Sequence, residues 1–170
     1  MKLYATKIPP IAEEVVRGLS VSGDLEVDKR SEAQLYVEAV LKEYMRLDRE
    51  VTELAKETLE KRRLDYGQFG QLKRKFAEER GLALGEEAPT WIANQVVEAF
   101  MHSPHIDEVF TEEGSLRKKV RELVRRQMQV DDELDAEVRR RIKNLSEGTA
   151  AWELEYGRTL DQIKRKHGLS

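Results

Sequence analysis

The sequence has no cysteine among its 170 residues, and aromatic residues make up only 6% of it. Without thiols, the protein has no disulfide, no thiolate nucleophile and no cysteine-ligated zinc. No apolar run approaches the roughly 20 residues that span a membrane. The N-terminal stretch MKLYATKIPPIAEEVV is interrupted by prolines and glutamates where a signal peptide would be apolar. These absences predict a cytoplasmic protein without a membrane segment.

An excess of charge of one sign is also missing. The chain has 30 basic and 33 acidic residues, which gives a net charge of −3. No overall basic field therefore attracts nucleic acid or anionic lipid, and any such binding must come from local patches. Charged residues make up 37% of the chain and hydrophobic residues 39%, a mixture typical of helices with one apolar face.

Motifs of the common enzyme classes do not occur: there is no G-x-S-x-G, Walker A or G-x-G-x-x-G sequence. Three acidic pairs are interpreted as charges that favour helix starts, because adjacent residues on a helix diverge. They are Glu13 with Glu14, Glu86 with Glu87, and Asp131 with Asp132. His102 and His105 are three residues apart, but Pro104 favours an ordinary connector over a metal site. We therefore expect no catalytic activity, no metal and no cofactor.

Two similar stretches indicate an internal duplication. YGQFGQLKRK begins at Tyr66 and YGRTLDQIKRK begins at Tyr156, and each contains Tyr-Gly, a spacer, Gln, an aliphatic residue and Lys-Arg-Lys. Upstream, VVRGL matches VVEAF at an offset of 81, and VEAVLKEYMRLDREV matches VRELVRRQMQVDDEL at an offset of 83. We therefore predict two helical units, residues 1–84 and 85–170, either with separate cores or with one shared core.

Apolar periodicity predicts the helices of the first copy. The first helix covers about residues 9–20, and its two leading prolines suit a first helical turn. Ser31 and Gln34 form a capping-box pattern that opens a second helix, and Asp48 is expected to cap a third. The helix after these is expected to bury Phe69, Leu72 and Phe76.

The second copy repeats this pattern. One helix carries the apolar positions from Leu116 to Val124, and Asp131 or Asp132 is expected to cap the next. Thr149 is expected to cap the last helix, whose apolar positions are Trp152, Tyr156, Leu160 and Ile163. The expected fold is all-α, with two similar helical repeats of three to four helices each, related by a pseudo-twofold axis and packed as a helical bundle.

Three basic clusters are the candidate contact sites. The densest lies in SLRKKVRELVRRQMQ, where basic residues surround the side of the helix opposite its apolar positions. The other two are the Lys-Arg-Lys runs, a pattern typical of solvated helix ends as well as of phosphate contacts. The candidate residues are Arg117, Lys118, Arg121, Arg125, Lys73, Arg74, Lys75, Lys164, Arg165 and Lys166.

The stretch VDDELDAEVRRRIKNLSEGTAAWELEYGRTLDQIKRKHG contains an acidic turn, a V-R-R-R-I helix, a serine-containing turn, a tryptophan, a tyrosine and a basic tail. These are Asp131 to Glu133, Val138 to Ile142, Ser146, Trp152, Tyr156 and Lys164 to Gly168. This order resembles the C-terminal half of a small bacterial helical family, domain of unknown function 507, and MKLYATKIPPIAEEVVRGL resembles that family's start. Family members are typically one such unit. The resemblance therefore implies a tandem pair and a bacterial cytoplasmic setting, but no activity.

The sequence favours a non-catalytic helical interaction protein that binds a protein partner or a larger assembly. Two similar units in one chain imitate a homodimer and leave a charge-rich exterior for such contacts. The alternative is RNA or DNA binding through the basic helix faces, an interaction that would weaken steeply with salt. The sequence leaves the oligomeric state open.

Overall fold

The computed structural model describes residues 2–168, which form six α-helices and one two-stranded ribbon. In chain order these are α1 (Ile8–Val21), β1 (Leu25–Val27), α2 (Arg30–Arg62), α3 (Phe69–Glu79), α4 (Ala88–Met101), β2 (Ile106–Val109), α5 (Glu113–Arg141) and α6 (Ala150–Lys166). The mostly helical composition agrees with the predicted all-α class. Within the described range, no helix is both long enough and apolar enough to cross a membrane.

The first helix of each half begins with proline. Pro9 and Pro10 lie in the first turn of α1, and Pro89 lies in the first turn of α4. Proline fits there because the first amides of a helix have no partner within the helix. The predicted helix over residues 9–20 is therefore confirmed.

The prediction of separate helices around Asp48 and around Asp131 is wrong, because α2 and α5 each run through these positions without a break. The Asp48 carboxylate pairs with Lys73 at 2.8 Å, and Asp131 is buried inside the fold. The capping box is wrong as well, since α2 begins at Arg30 and Ser31 lies inside it. A residue type that favours caps does not interrupt a helix where the apolar period continues and neither glycine nor proline intervenes.

The ribbon joins two segments that we expected to be connectors. β1 pairs antiparallel with β2, with Leu25 opposite Val109 and Val27 opposite Ile106. His105 ends the connector before β2, and its carbonyl accepts a hydrogen bond from the backbone N–H of Asp28 at 3.1 Å. The ribbon therefore ties the first half of the chain to the second.

The largest buried cluster lies at the centre of the molecule and takes residues from both halves of the chain. It is formed by α1, α4 and the N-terminal parts of α2 and α5. Its fully buried side chains include Ile11, Val15, Val16, Leu41, Ile92, Val96, Val97, Phe100, Val120 and Val124. Each buried aliphatic side chain of this kind contributes about 1.5–3 kcal/mol relative to an exposed one. We call this cluster the central core.

Two hairpins extend beyond the central core, and each has a small cluster of its own. The first arm, residues 55–79, packs Ala55, Leu59 and Phe69 between α2 and α3. The second arm, residues 134–166, packs seven buried residues between α5 and α6: Leu134, Val138, Ile142, Trp152, Tyr156, Leu160 and Ile163. The predicted apolar face of the last helix is confirmed, whereas Leu72 and Phe76 of α3 are only partly buried.

The second arm begins with the predicted cap. The Thr149 hydroxyl accepts a hydrogen bond from the Trp152 backbone N–H at 3.2 Å. Just before it, Gly148 has a φ of +94°, and a Cβ added there would lie 2.9 Å from the Phe69 ring of the first arm. A Lys56–Glu153 ion pair also joins the arms.

Candidate functional site

The structure places the densest predicted basic cluster on α5, beside α4. Arg117 is partly buried and pairs with Glu113, while Arg121 lies 3.4 Å from Glu122, and both arginines face α4. Lys118 and Arg125 are exposed. Three of the four predicted residues, Arg117, Lys118 and Arg121, line one small depression between α4 and α5, and whether the cluster contacts a partner stays a prediction.

A shallow groove of about 460 Å³ lies on the other side of α5, against α1. Its apolar floor consists of Gly18, Leu19 and Leu123, and its basic rim consists of Lys118, Lys119 and Arg126. Ser22, Ser115 and Glu122 complete the lining. We call this feature the α1–α5 groove.

Gly18 sets the distance between the two helices at the groove. A Cβ built at this position would lie 3.1 Å from Cδ1 of Leu123, tighter than most contacts of real Cβ atoms. A glycine inside a helix costs stability relative to alanine. The close approach explains it here, because the missing side chain leaves the Leu123 side chain accessible as the floor.

A buried ion pair fixes the basic rim. Asp24 is 3% exposed, and its carboxylate accepts hydrogen bonds from Lys119 Nζ at 2.6 and 2.8 Å. The hydroxyls of Ser22 and Thr111 donate to the same carboxylate. Burial raises the pKa of Asp24, but these hydrogen bonds outweigh burial and lower it from 3.8 to about 2. Lys119 is therefore held at one edge of the groove.

The two Lys-Arg-Lys runs lie on different elements. On α3, Lys73 pairs with Asp48, Arg74 donates from Nε to the Gly70 carbonyl at 3.2 Å, and Lys75 is exposed. On α6, the Lys164 ammonium lies 4.9 Å from the centre of the Tyr4 ring, and Arg165 and Lys166 are exposed. The three predicted clusters are thus presented by three different helices.

A second depression of about 620 Å³ lies between the two arms, and we call it the inter-arm cleft. The first arm side contributes Asp48, Arg49, Lys73 and Arg74, and the second arm side contributes Asp135, Arg139 and Trp152. Lys2 and Leu3 close one end. The cleft therefore combines charged walls with aromatic and aliphatic surface.

A tyrosine pair supports the second arm side of this cleft. The hydroxyls of Tyr4 and Tyr156 are 2.8 Å apart, and Tyr156 donates to the Asp135 carboxylate. Burial raises the pKa of Tyr4 to about 12, and burial together with hydrogen bonding also raises that of Tyr156. Both phenols therefore stay neutral at pH 7, where they donate hydrogen bonds rather than act as bases. The arrangement holds the N-terminal segment against the second arm.

The histidines noted in the sequence have structural contacts. The Nδ1 atom of His102 lies 2.9 Å from the Glu98 carbonyl, and the His105 ring packs against Tyr36. In residues 2–168, no three His, Asp or Glu side chains are grouped in a way that could hold a metal ion.

Apart from Lys118, the residues that build the α1–α5 groove were missed by the sequence reasoning. Lys119 and Arg126 are seven residues apart, which places them on one side of a helix, and this spacing was available in the sequence. Gly18 inside a predicted helix was a second signal of close packing. The partnership of Lys119 with Asp24 had no such signal, because the two residues are 95 positions apart.

Fold and site together define a mostly helical protein with a central core, two arms, an α1–α5 groove and an inter-arm cleft. A family model described as Protein of unknown function (DUF507) matches residues 1–169. The chain belongs to this family, as its acidic turn, tryptophan, tyrosine and basic tail predicted. The match runs continuously over almost the whole chain. No curated protein matches the chain.

Proposed function

We propose that this protein is a non-catalytic, cytoplasmic binding protein whose α1–α5 groove takes an acidic, amphipathic segment of a partner protein. The observation that carries the proposal is the combination of an apolar floor with a basic rim in one groove. A helix that presents aliphatic residues on one face and carboxylates beside them is complementary to both parts.

The charge of the rim supports an acidic partner. Neither Lys118 nor Arg126 forms an ion pair with any residue from 2 to 168, so their charges are available to a ligand. Glu122 is the acidic member of the lining, and it lies 3.4 Å from Arg121. Unpaired cations at the edge of an interface mainly increase the association rate and select against basic partners.

The apolar floor supports a protein segment rather than a nucleic acid. Leu123 is partly exposed above the buried Leu19 and offers aliphatic surface, against which side chains such as leucine at helical spacing can pack. Sites for single-stranded nucleic acid without sequence preference combine cations with exposed aromatic residues on which bases stack. The groove lining contains no aromatic residue.

The proposed internal duplication is supported by the order of the elements and by the pairing of the two strands. The order helix, strand, long helix, shorter helix occurs twice, and the antiparallel β1–β2 pairing is the arrangement that a twofold axis would produce. Val16 and Val97, equivalent in the repeat, are both buried in the central core. At the position equivalent to Gly18 the second copy has Ala99, which adds a side chain to the corresponding helix.

The test uses a labelled helical peptide with leucines at i and i+4 and flanking glutamates, titrated into the full chain and followed by fluorescence anisotropy. We expect saturable binding that falls at least tenfold in Lys118→Glu/Arg126→Glu. The matched control is Arg140→Glu/Lys143→Glu, which makes the same charge change at exposed sites farther along the chain. Equal binding by both double variants, or none by the native chain, would refute the groove as the site.

Nucleic-acid binding is the second candidate, and the exposed Lys118, Arg125 and Arg126 on one helix favour it. Labelled duplex DNA and RNA should be titrated at two salt concentrations. The variant replaces the four predicted residues by glutamine: Arg117, Lys118, Arg121 and Arg125. A large drop in affinity with salt and in the variant would support this candidate, whereas no binding at low salt would remove it.

A further inference from the structure

We propose that the inter-arm cleft is a separate binding site for a small phosphomonoester, with Arg49 and Arg74 as the residues that contact the phosphate. The proposal does not depend on the α1–α5 groove, which is lined by other residues. A cleft of about 620 Å³ is in the size range of small-molecule sites. The arms that form it have separate apolar clusters, and the Lys56–Glu153 ion pair joins them.

The basic and acidic side chains that line the cleft are unequal in number. Each carboxylate in the lining has a basic partner: Asp48 with Lys73, Glu53 and Glu153 with Lys56, and Asp135 and Glu147 with Arg139. Arg49 and Arg74 also line the cleft, but neither has a carboxylate partner anywhere in the described chain. The lining has six basic side chains against five carboxylates, and Arg49 and Arg74 are the two guanidinium groups in it without a carboxylate partner among the described residues, which favours an anion.

An ion pair between the residues that precede Arg49 and Arg74 places these two arginines at the same cleft. Asp48 of α2 and Lys73 of α3 form an ion pair at 2.8 Å, and Arg49 and Arg74 follow them in the sequence. The Arg74 side chain bends back so that Nε bonds the Gly70 carbonyl, which leaves its terminal amino groups for a ligand. Guanidinium groups bind phosphate oxygens through paired N–H donors, and two of them match a dianion.

The apolar residues of the lining indicate that the phosphate is attached to an organic group. Met45, Phe69 and Leu84 contribute apolar surface beside the arginines. Inorganic phosphate alone would leave this surface in contact with water. An organic body attached to the phosphate would cover it, as in small-molecule sites where apolar contact supplies affinity and a few polar groups fix orientation. We therefore assign the site to a phosphomonoester rather than to free phosphate.

The experiment is isothermal titration calorimetry of the full chain with phenyl phosphate, inorganic phosphate and phenol. We expect saturable binding of phenyl phosphate, weaker binding of inorganic phosphate and none of phenol. Arg49→Gln/Arg74→Gln should weaken phenyl phosphate binding at least tenfold. The matched control, Lys75→Gln/Arg62→Gln, removes two exposed cations from the first arm outside the cleft and should change it less than twofold.

Two outcomes would overturn the proposal. The first is the absence of saturable phenyl phosphate binding at millimolar concentrations. The second is an equal loss of binding in both double variants, which would indicate general attraction to a basic surface. Circular dichroism melts of each variant check that the fold is retained. Lys118→Glu/Arg126→Glu should bind phenyl phosphate normally, so failure here is distinguishable from failure of the groove proposal.

Discussion

Replacing Asp24 by asparagine tests the contact that we regard as the main polar link between the two halves of the chain. The Asp24 carboxylate is buried between α1 and β1 and accepts from Lys119 of α5. Its backbone carbonyl also accepts from the Phe110 N–H at 3.0 Å, next to β2. Asparagine keeps the shape of the side chain but removes the negative charge, so the change isolates the ionic contribution.

The pKa of Asp24 gives the magnitude. Its folded-state value is about 2 against an ordinary value of 3.8, because hydrogen bonds outweigh burial. One pKa unit corresponds to about 1.4 kcal/mol, so the shift corresponds to about 2.5 kcal/mol of stability at neutral pH before screening. The Lys119 side chain is 48% exposed, and water screens its charge. We therefore expect Asp24→Asn to cost ~1 to 2 kcal/mol, a fall in Tm of about 2–8 °C for a chain of this size.

The assay is urea unfolding followed by circular dichroism at pH 7, 4 and 3. Because the folded pKa is depressed, the stabilisation is fully present above pH 4 and is lost as the pH falls towards 2. The difference between native chain and variant should therefore shrink across this window. Asp107→Asn, an exposed carboxylate of β2, is the control. A constant difference at all three pH values, or none at pH 7, would refute the reasoning.

Two further predictions concern the second arm. Gly148→Ala should lower the free energy of unfolding by about 1–3 kcal/mol, because φ is +94° at this position and the added Cβ would meet the Phe69 ring. Thermal melts measure this change. In the same melts the control Gly157→Ala, which adds a Cβ in open space on α6, should be neutral or stabilising. Asp131→Asn should raise stability by about 1 kcal/mol at pH 7, because burial raises the pKa of Asp131 and its Oδ2 has no hydrogen-bond partner within residues 2–168. The gain should fall as the pH drops and the native carboxyl becomes protonated. A destabilised Asp131→Asn at pH 7 would mean that attraction by Lys7 and Lys164 outweighs burial.

The helices were largely predictable because their signals are local. Apolar residues at helical spacing and prolines in a first turn identified α1, and Thr149 identified the start of α6. The continuity of α2 and α5 was not predicted, because aspartates that favour helix starts predicted new helices there. α2 continues through Asp48 because the apolar period is maintained on both sides of it, and the Asp48 carboxylate pairs with Lys73 of another helix instead of capping.

The ribbon could not be predicted from local signals. Strands of three and four residues are too short for a clear alternating pattern, and each is stabilised by pairing with a segment about 80 positions away. The geometry of the groove and of the cleft could not be predicted from local signals either. Basic residues were found by composition, but their division between groove, cleft and solvent depends on which helix packs beside them.

The continuity of α2 and α5 has a mechanical consequence. At 1.5 Å per residue, the 33 residues of α2 extend about 50 Å, so the helix is a single rod with its base in the central core and its far end in the first arm. Over the outer ~25 Å of such a rod, a tilt of about 5° displaces the tip by ~2 Å. A small change in side-chain packing at the base of this rod would therefore change the width of the opening between the arms.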